Sequence, residues 1–445
     1  MRSPKYLSRF LSRYSSEDRL TLSFDMPAAA CVGVFNGLAV TFAGIIGRKI
    51  GLDSQMLAVL AISAYVGLFL NLWIGHLSSK GHVEAWVLIP GLVSRFLVAF
   101  ALIGVSPWFY LGIMSVFNVV TNLSGPAYTS IMRTNYSDRH RGELMGYVRV
   151  ILQVTTALSA AFAGWLMEVV PGSQHWLFPI ASAFGIASSL LFFRVKVRPR
   201  AAQKGVAEDL VTRRRDAGRD AALADVAGRA DVAGQKDAES AGFFDSLAEL
   251  ARDRPFMIYM AIYFVIGLPD KIVTPLEPIR FVDELGMSYA EAGIVQGTLP
   301  FVGALIGYLV YAKASKRTNP FLALIVAALL SSTRFLNTAL AGSAMQLAPG
   351  AFLNGISNAG WDLIPVFSIM LFARGNKLGF YFGFHGMLIG LRGLVGPILG
   401  TWLYSGLGLR ISTIYAIAFG IELVGTGFLV PYYLGTRTSR GSAAA

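Results

Sequence analysis

The chain has 445 residues, 54% hydrophobic and only 14% charged, with a formal net charge of +12. Runs of about 20 apolar residues recur along it, the length that crosses a bilayer, so composition alone excludes an ordinary water-soluble domain. The single cysteine, Cys31, excludes an intrachain disulfide.

Residues 1–26 hold Arg2, Lys5, Arg9, Arg13 and Arg19 but no cleavable-signal pattern, so the first apolar run reads as an uncleaved anchor. Twelve spans are predicted, at 27–50, 54–77, 83–105, 107–132, 143–169, 175–195, 255–281, 289–312, 319–341, 346–372, 377–405 and 410–434. They are expected to be helices, because lipid offers backbone N–H and C=O groups no partners, and the alternating segments of a β-barrel are absent. Lys80, the group Arg133, Arg139 and Arg141, the group Lys313, Lys316 and Arg317, then Arg374, Lys377, Arg437 and Arg440 fall in every other loop or at the terminus. That alternation places both termini in the cytoplasm of a bacterial inner membrane. The basic balance is therefore topology, and no nucleic-acid partner is expected. Between 196 and 253 the sequence turns to Ala, Gly, Arg and Asp without apolar periodicity. This is a partly disordered cytoplasmic linker, ending in a juxtamembrane amphipathic segment around Phe243, Phe244, Leu247 and Leu250. It separates an N-terminal six-helix bundle (1–195) from a C-terminal one (254–445).

The second half echoes the first at an offset of about 236 to 239 residues. Ser94-Arg95-Phe96-Leu97 returns as Thr333-Arg334-Phe335-Leu336, and Asn118 and Asn122 return as Asn354 and Asn358. Gly164-Trp165-Leu166 is similar to Gly400-Thr401-Trp402-Leu403. Parallel membrane repeats of this kind meet around a substrate path near the bilayer midplane.

Six spans, a long linker, six more spans and cytoplasmic termini together resemble the major facilitator superfamily over nearly the whole chain. That family's loop signature, Gly-x-x-x-Asp-Arg-x-Gly-Arg-Arg/Lys after the second helix, is matched by Gly75-His76-Leu77-Ser78-Ser79-Lys80-Gly81. Ser79 stands where the family has its acid and Lys80 where it has arginine, so the acid of the usual cytoplasmic latch is missing. Pro126 and Arg139-x-Arg141-Gly142-x-x-x-Gly146 resemble the family's entry into the fifth helix, which makes Gly75, Ser79, Lys80, Arg139 and Arg141 gating-loop candidates. The resemblance implies an all-α polytopic fold of two pseudo-symmetric six-helix bundles and alternating-access transport. The Gly-Pro motif of the family's drug antiporters is absent from the fifth span and a relative of it, Gly393-x-x-Gly396-Pro397-x-x-Gly400, sits in the eleventh.

Ionisable groups inside a span are costly and need a partner or a polar cavity. Asn354, Asn358 and Asp362 are spaced by four on one helix face, with Asp362 about 18 Å from the cytoplasmic end near Arg374. An acid at that depth binds a cation, carries a coupling proton, holds a substrate amine or hydroxyl, or serves as an interhelical brace. Asn118 and Asn122 suit either hydroxyl recognition or interhelical hydrogen bonding. The seventh span is expected to break at Gly267-Leu268-Pro269, beside Asp270, a second coupling candidate that Lys271 alternatively neutralises. Glu277 and Arg280 read as extracellular interface charges, and Glu422 as a partner for Arg334. Arg149, on one face with Gln153 and Thr156, and Arg392, two turns beyond His385, favour an anionic substrate or a fixed carboxylate. No phosphate-binding loop, metal-ligand spacing or nucleophile elbow is present, so no enzyme activity, cofactor or metal is expected.

The reading is a monomeric secondary transporter in the lipid bilayer, moving a small polar or charged organic solute with protons. An exporter of amphipathic compounds, or a non-transporting receptor or scaffold on the same fold, are the alternatives.

Overall fold

A computed structural model of the protein describes residues 14–79, 83–103, 106–137, 140–195, 250–314, 319–372 and 378–434. The expected linker lies outside the described residues up to 249. In the N-terminal half, α1 is Ser16–Leu38, running on through Val40–Phe42 and Ala43–Lys49. It is followed by α2 (Ser54–Ser79), α3 (Val83–Val98), α4 (Pro107–Asn122, then Gly125–Asn135), α5 (Arg141–Val169) and α6 (Gln174–Phe193). In the C-terminal half, α7 is Arg254–Val273 with Thr274–Leu276, Glu277–Ile279 and Arg280–Glu284 in line. Next come α8 (Tyr289–Ala292, Gly293–Thr298 and Leu299–Ala314), α9 (Pro320–Leu340), α10 (Ala348–Phe372), α11 (Leu378–Thr401, then Trp402–Gly406) and α12 (Ile411–Gly427). Eight of these rods are long and apolar enough to cross a membrane, and Ser54–Leu70 is a shorter apolar helix. The arrangement is consistent with the twelve spans expected, and no strand occurs among the described residues.

Helix starts follow local chemistry. Ser15 accepts from the Asp18 amide, and Asp253 accepts from the Phe256 amide. Ser288 and Glu291 form a reciprocal capping box at α8. At the end remote from the termini, the connections after α1, α5, α7 and α11 each turn on a glycine with positive φ: Gly51 (103°), Gly172 (86°), Gly286 (59°) and Gly408 (64°). A side chain is strained in that conformation, so these turns need glycine.

The packing repeats as the sequence does. α1 packs on α5 and α6, as α7 packs on α11 and α12. α2 packs on α4 as α8 packs on α10, and α3 meets α4 and α6 as α9 meets α10 and α12. Glycine makes these contacts close. A methyl at Gly67 would overlap the Val119 carbonyl of α4, and one at Gly303 the Phe352 carbonyl of α10. Lipid is as apolar as the helices, so such close backbone approach and hydrogen bonding, rather than the hydrophobic effect, hold the bundle.

The two halves join through α5 with α8 and α2 with α11. One apolar core at the end remote from the termini draws on both halves, including Phe35, Phe117 and Met167 with Ile272, Val295 and Tyr415. Toward the termini the core divides into one cluster around Leu22, Tyr136 and Phe192 and another around Tyr259, Phe321 and Ile369. The halves therefore meet at one end and part at the other. The joined end is also tied by polar contacts: Arg48 with Asp283, the Lys49 ammonium 3.7 Å over the Tyr289 ring, and Ser54 Oγ 2.8 Å from Ser405 Oγ.

The alternating access that the resemblance implies would require this end to open. Full-length S54C/S405C is expected to form a disulfide spontaneously and to lose solute counterflow in sealed vesicles, with reductant restoring it. Undiminished counterflow in the oxidised protein would show that this end need not separate.

Candidate functional site

The dividing line between the halves begins at α5 and α8. Gly164 lies against Gly293, Ala160 against Gly297, and the Thr298 hydroxyl donates to the Ala157 carbonyl at 3.1 Å. Beyond that point the helices separate. Eight residues further along α5 stands Arg149, and ten further along α8 stands Tyr308, about 12 and 15 Å along their axes. Arg149 is exposed and, among the described residues, forms no hydrogen bond or ion pair. It lies within electrostatic reach of the Tyr308 hydroxyl on the opposite half. That hydroxyl donates to Asp362 Oδ2 at 2.5 Å. Asp362 thus faces the space between the halves, and Asn358, exposed one turn earlier on the same face, faces it too. Asn354, a further turn in, is half-buried. Gln153 sits one turn beyond Arg149 with a buried, unpartnered Oε1. The site is therefore two facing walls, a guanidinium and an amide on α5 against two amides and a carboxylate on α10.

The other candidates fall elsewhere. Asn118 Nδ2 donates to the Leu60 carbonyl and Ser63 Oγ, and Asn122 Nδ2 to the Ala64 and Asn118 carbonyls. Both tie α4 to α2, the interhelical hydrogen bonding that was one of the two roles their residue type allowed. Asp270 is held by Lys271 Nζ and by Arg334 Nη2, each at 2.5 Å, while Arg334 Nη1 binds Glu277 at 2.6 Å. Arg334 therefore pairs with α7 and not with Glu422, whose buried Oε2 has no hydrogen-bond partner among the described residues. Glu277 and Arg280 are not surface charges: Arg280 is 9% exposed and donates to the Thr338 and Ala341 carbonyls and to Glu284. The side chain of Asp270 is nonetheless 39% exposed, so this network borders open space.

Arg392 and His385 flank one ring. The Arg392 guanidinium carbon lies 5.1 Å and the His385 ring 4.7 Å from the centre of Tyr263, which also meets Trp361 edge-on. Arg392 Nη1 donates to the Tyr263 carbonyl at 2.9 Å. Arg392 Nε and His385 Nε2 are buried without hydrogen-bond partners among the described residues. This explains Gly267, since any side chain there would overlap the Arg392 guanidinium. The seventh span does not break at Gly267-Leu268-Pro269 as expected: the helix runs through Pro269 and changes pitch at Thr274–Leu276, where Pro275 sits. Gly393 and Gly396 likewise accommodate the Tyr65 ring and Lys271. Of the gating-loop candidates, Gly75 and Ser79 end α2, Arg141 Nη2 donates to the Arg133 carbonyl, and Lys80 and Arg139 lie outside the described residues.

Two members escaped the sequence reading. Tyr308 offered no signal beyond a polar tip in an apolar span. Asp25 precedes the first apolar run and drew no reading, yet it is 2% exposed and accepts from Tyr136 at 2.9 Å and from Tyr128 at 3.5 Å.

The sequence model of the Major Facilitator Superfamily matches residues 26–268. A D-galactonate transporter of Escherichia coli O6:H1 is 22% identical over 331 residues, 71% of this chain and 72% of that protein. The multidrug resistance protein MdtH of Aeromonas hydrophila is 27% identical over 135 residues, 30% of this chain and 34% of that one. Among solved structures, the nucleoside transporter NupG has a TM-score of 0.63 at 11% identity, covering 93% of this chain and 98% of its own. A bacterial homolog of the human lysosomal transporter Spinster, inward-facing and unoccupied, has a TM-score of 0.60 at 13% identity, covering 95% and 98%.

The bracing and the ion network differ in what they hold. Asn118→Ala removes neutral interhelical hydrogen bonds, expected to cost about 0.6–1.7 kcal/mol. Arg334→Met leaves Glu277 without its cation and weakens the hold on Asp270, expected to cost about 3–5 kcal/mol. Unfolding of the purified variants in one detergent checks the order, and equal losses would refute it.

Proposed function

The chain belongs to the major facilitator superfamily, and on that premise we propose that it is a secondary active transporter of small hydroxylated organic anions, moved with protons by alternating access. The observation that carries this reading is Arg149, an unpaired guanidinium facing a carboxylate and two amides across the space between the halves. A guanidinium binds a carboxylate bidentately and cannot give up its charge. Asn358 and Asn354 offer both donors and acceptors, the complement of hydroxyl groups. Asp362, already bonded to Tyr308, accepts a solute hydroxyl and disfavours a second negative charge on that wall. A solute with its carboxylate toward α5 and its hydroxyls toward α10 satisfies both walls. The galactonate carried by the similar Escherichia coli protein has this chemistry.

By the distribution of basic residues, both termini are cytoplasmic in a bacterial inner membrane, so the parted end opens to the cytoplasm. The joined end then faces outward, and this conformation is the one that exchanges solute with the cell interior. The protein acts as a monomer, because each half supplies one wall of the site. It performs no chemistry on its solute.

One observation favours a second reading, export of amphipathic compounds. An apolar cavity of about 270 Å³ lies between α2 and α11, lined by Phe69, Met387 and Ile389 among others.

Counterflow into vesicles separates the two. Labelled D-galactonate is expected to exchange, with unlabelled hydroxy acids competing and galactose and lipophilic cations failing to do so. Arg149→Ala is expected to lower its affinity about tenfold to a hundredfold, the loss of about 1.5–3 kcal/mol from hydrogen bonds to a charged group. Exchange of a lipophilic cation, unaffected by Arg149→Ala, would overturn the anion reading in favour of the second.

A further inference from the structure

Arg392 is 5% exposed, on the face of α11 that packs against α7. Gly267 makes room for its guanidinium, and Nη1 donates to the Tyr263 carbonyl at 2.9 Å. The guanidinium carbon lies 5.1 Å from the centre of the Tyr263 ring. That is its single hydrogen bond among the described residues, so Nε, which is buried, and Nη2 have no partner. His385, 8% exposed, lies two turns earlier on the same face. Its ring stands 4.7 Å from that of Tyr263, and its buried Nε2 has no hydrogen-bond partner among the described residues either. Trp361 of α10 closes the edge of Tyr263 at 5.3 Å. The acids within the spans of α7 and α10 are engaged elsewhere: Asp270 by Lys271 and Arg334, Glu277 by Arg334, and Asp362 by the Tyr308 hydroxyl. Lys271, Asp270, Arg334 and Glu277 make a chain without excess charge, and no carboxylate among the described residues pairs with Arg392.

We propose that Arg392, with His385 and the Tyr263 ring, forms a binding site for a small monovalent anion inside the C-terminal bundle. An isolated buried charge is costly, and a guanidinium cannot shed its proton to escape the cost. One carbonyl and one ring face offset part of it. An anion from outside the chain supplies the rest. The edge left free by the Nη1 bond is the one where Nε–H and Nη2–H run parallel, the fork with which a guanidinium holds an anion bidentately. His385, in the tautomer protonated at Nε2, brings a further N–H donor to the same ring. Aromatic walls and a weakly hydrated guanidinium favour an anion that gives up its water readily, a halide or a single carboxylate. Sulfate is disfavoured, because two charges cost far more to desolvate than one. The carboxylate of a solute and a free halide share this chemistry. Either one fixes Arg392 across Gly267 and so holds α11 on α7.

Melting of the purified full-length protein tests this, followed while sodium bromide replaces sodium sulfate at constant ionic strength. Bromide is expected to raise the melting temperature saturably in the wild type and in Arg149→Ala, as a ligand of the folded state does, and to have no effect in Arg392→Gln. His385→Ala is expected to raise the half-saturating bromide concentration without abolishing the effect. Added D-galactonate separates the two sources. A higher half-saturating concentration assigns the site to the carboxylate of the solute, and an unchanged one assigns it to the free halide. Equal melting in bromide and sulfate, or a bromide effect that persists in Arg392→Gln, would overturn the site. A second measurement needs no variant and survives failure of Arg392→Gln to fold. Anomalous scattering from bromide-soaked crystals of the wild type is expected to place a bromide against Nε and Nη2 of Arg392, and the lack of a peak there overturns the proposal. If D-galactonate does not bind at all, the anion reading of the cavity fails, and the bromide results still decide Arg392 separately.

Discussion

The approach of Gly164 to Gly293 is the constraint from which the site follows. There, and at the neighbouring Ala160–Gly297 crossing, α5 and α8 come close enough for backbone to meet backbone. Within lipid nothing draws two apolar helices together except dispersion and hydrogen bonding, both of which fall off steeply with distance. The apolar core is shared by both halves on the side of that contact and divided into two clusters on the other. The space between the halves lies on the divided side, and Arg149 and Tyr308 stand along α5 and α8 in that direction.

Each half is stiffened by polar groups that it satisfies internally. In the C-terminal half, Arg334 joins Asp270 and Glu277 across α7 and α9, while Arg280 holds the last carbonyls of α9. In the N-terminal half, Asn118 and Asn122 join α4 to α2, Arg95 donates to Ser189 on α6, and Asp25 gathers two tyrosines of α4 onto α1. Contacts between the halves are fewer and shallower, such as Arg48 with Asp283 and Ser54 with Ser405 at the joined end. Interactions closed within a half survive a change in the angle between halves, whereas those between halves do not. That division is what rigid-body alternating access requires.

The duplication, the helical spans and the α10 stripe were all legible in the sequence, because each rests on periodicity or length. Spacing by four places Asn354, Asn358 and Asp362 on one face whatever the tertiary structure. The failures share one cause: periodicity names a face but not the neighbour that covers it. Asn122 and Asn358 occupy equivalent positions, yet one is bonded to the α2 backbone and the other is exposed. Arg334 had acids within reach on both α7 and α12, and only packing selects Glu277 and Asp270 over Glu422. Gly267 read as a helix break because glycine and proline usually mark one, whereas here it makes room for Arg392. Asp25 went unread because α1 begins eleven residues before the apolar run, at Ser16 rather than at 27.

The repeat copies the scaffold but not the charges, and this asymmetry gives the cavity direction. At the position of Asp362 the first half has Pro126. At the position of Arg149 the second half has His385, buried against the Tyr263 ring. A symmetric pair of walls would present the same charge from both sides and bind a solute in either of two opposite poses. With a guanidinium on one wall and a carboxylate on the other, only one pose places an anionic end against a cation. Arg149 also lies within electrostatic reach of groups of both halves, the Tyr308 hydroxyl on α8 and the Asp25 carboxyl on α1.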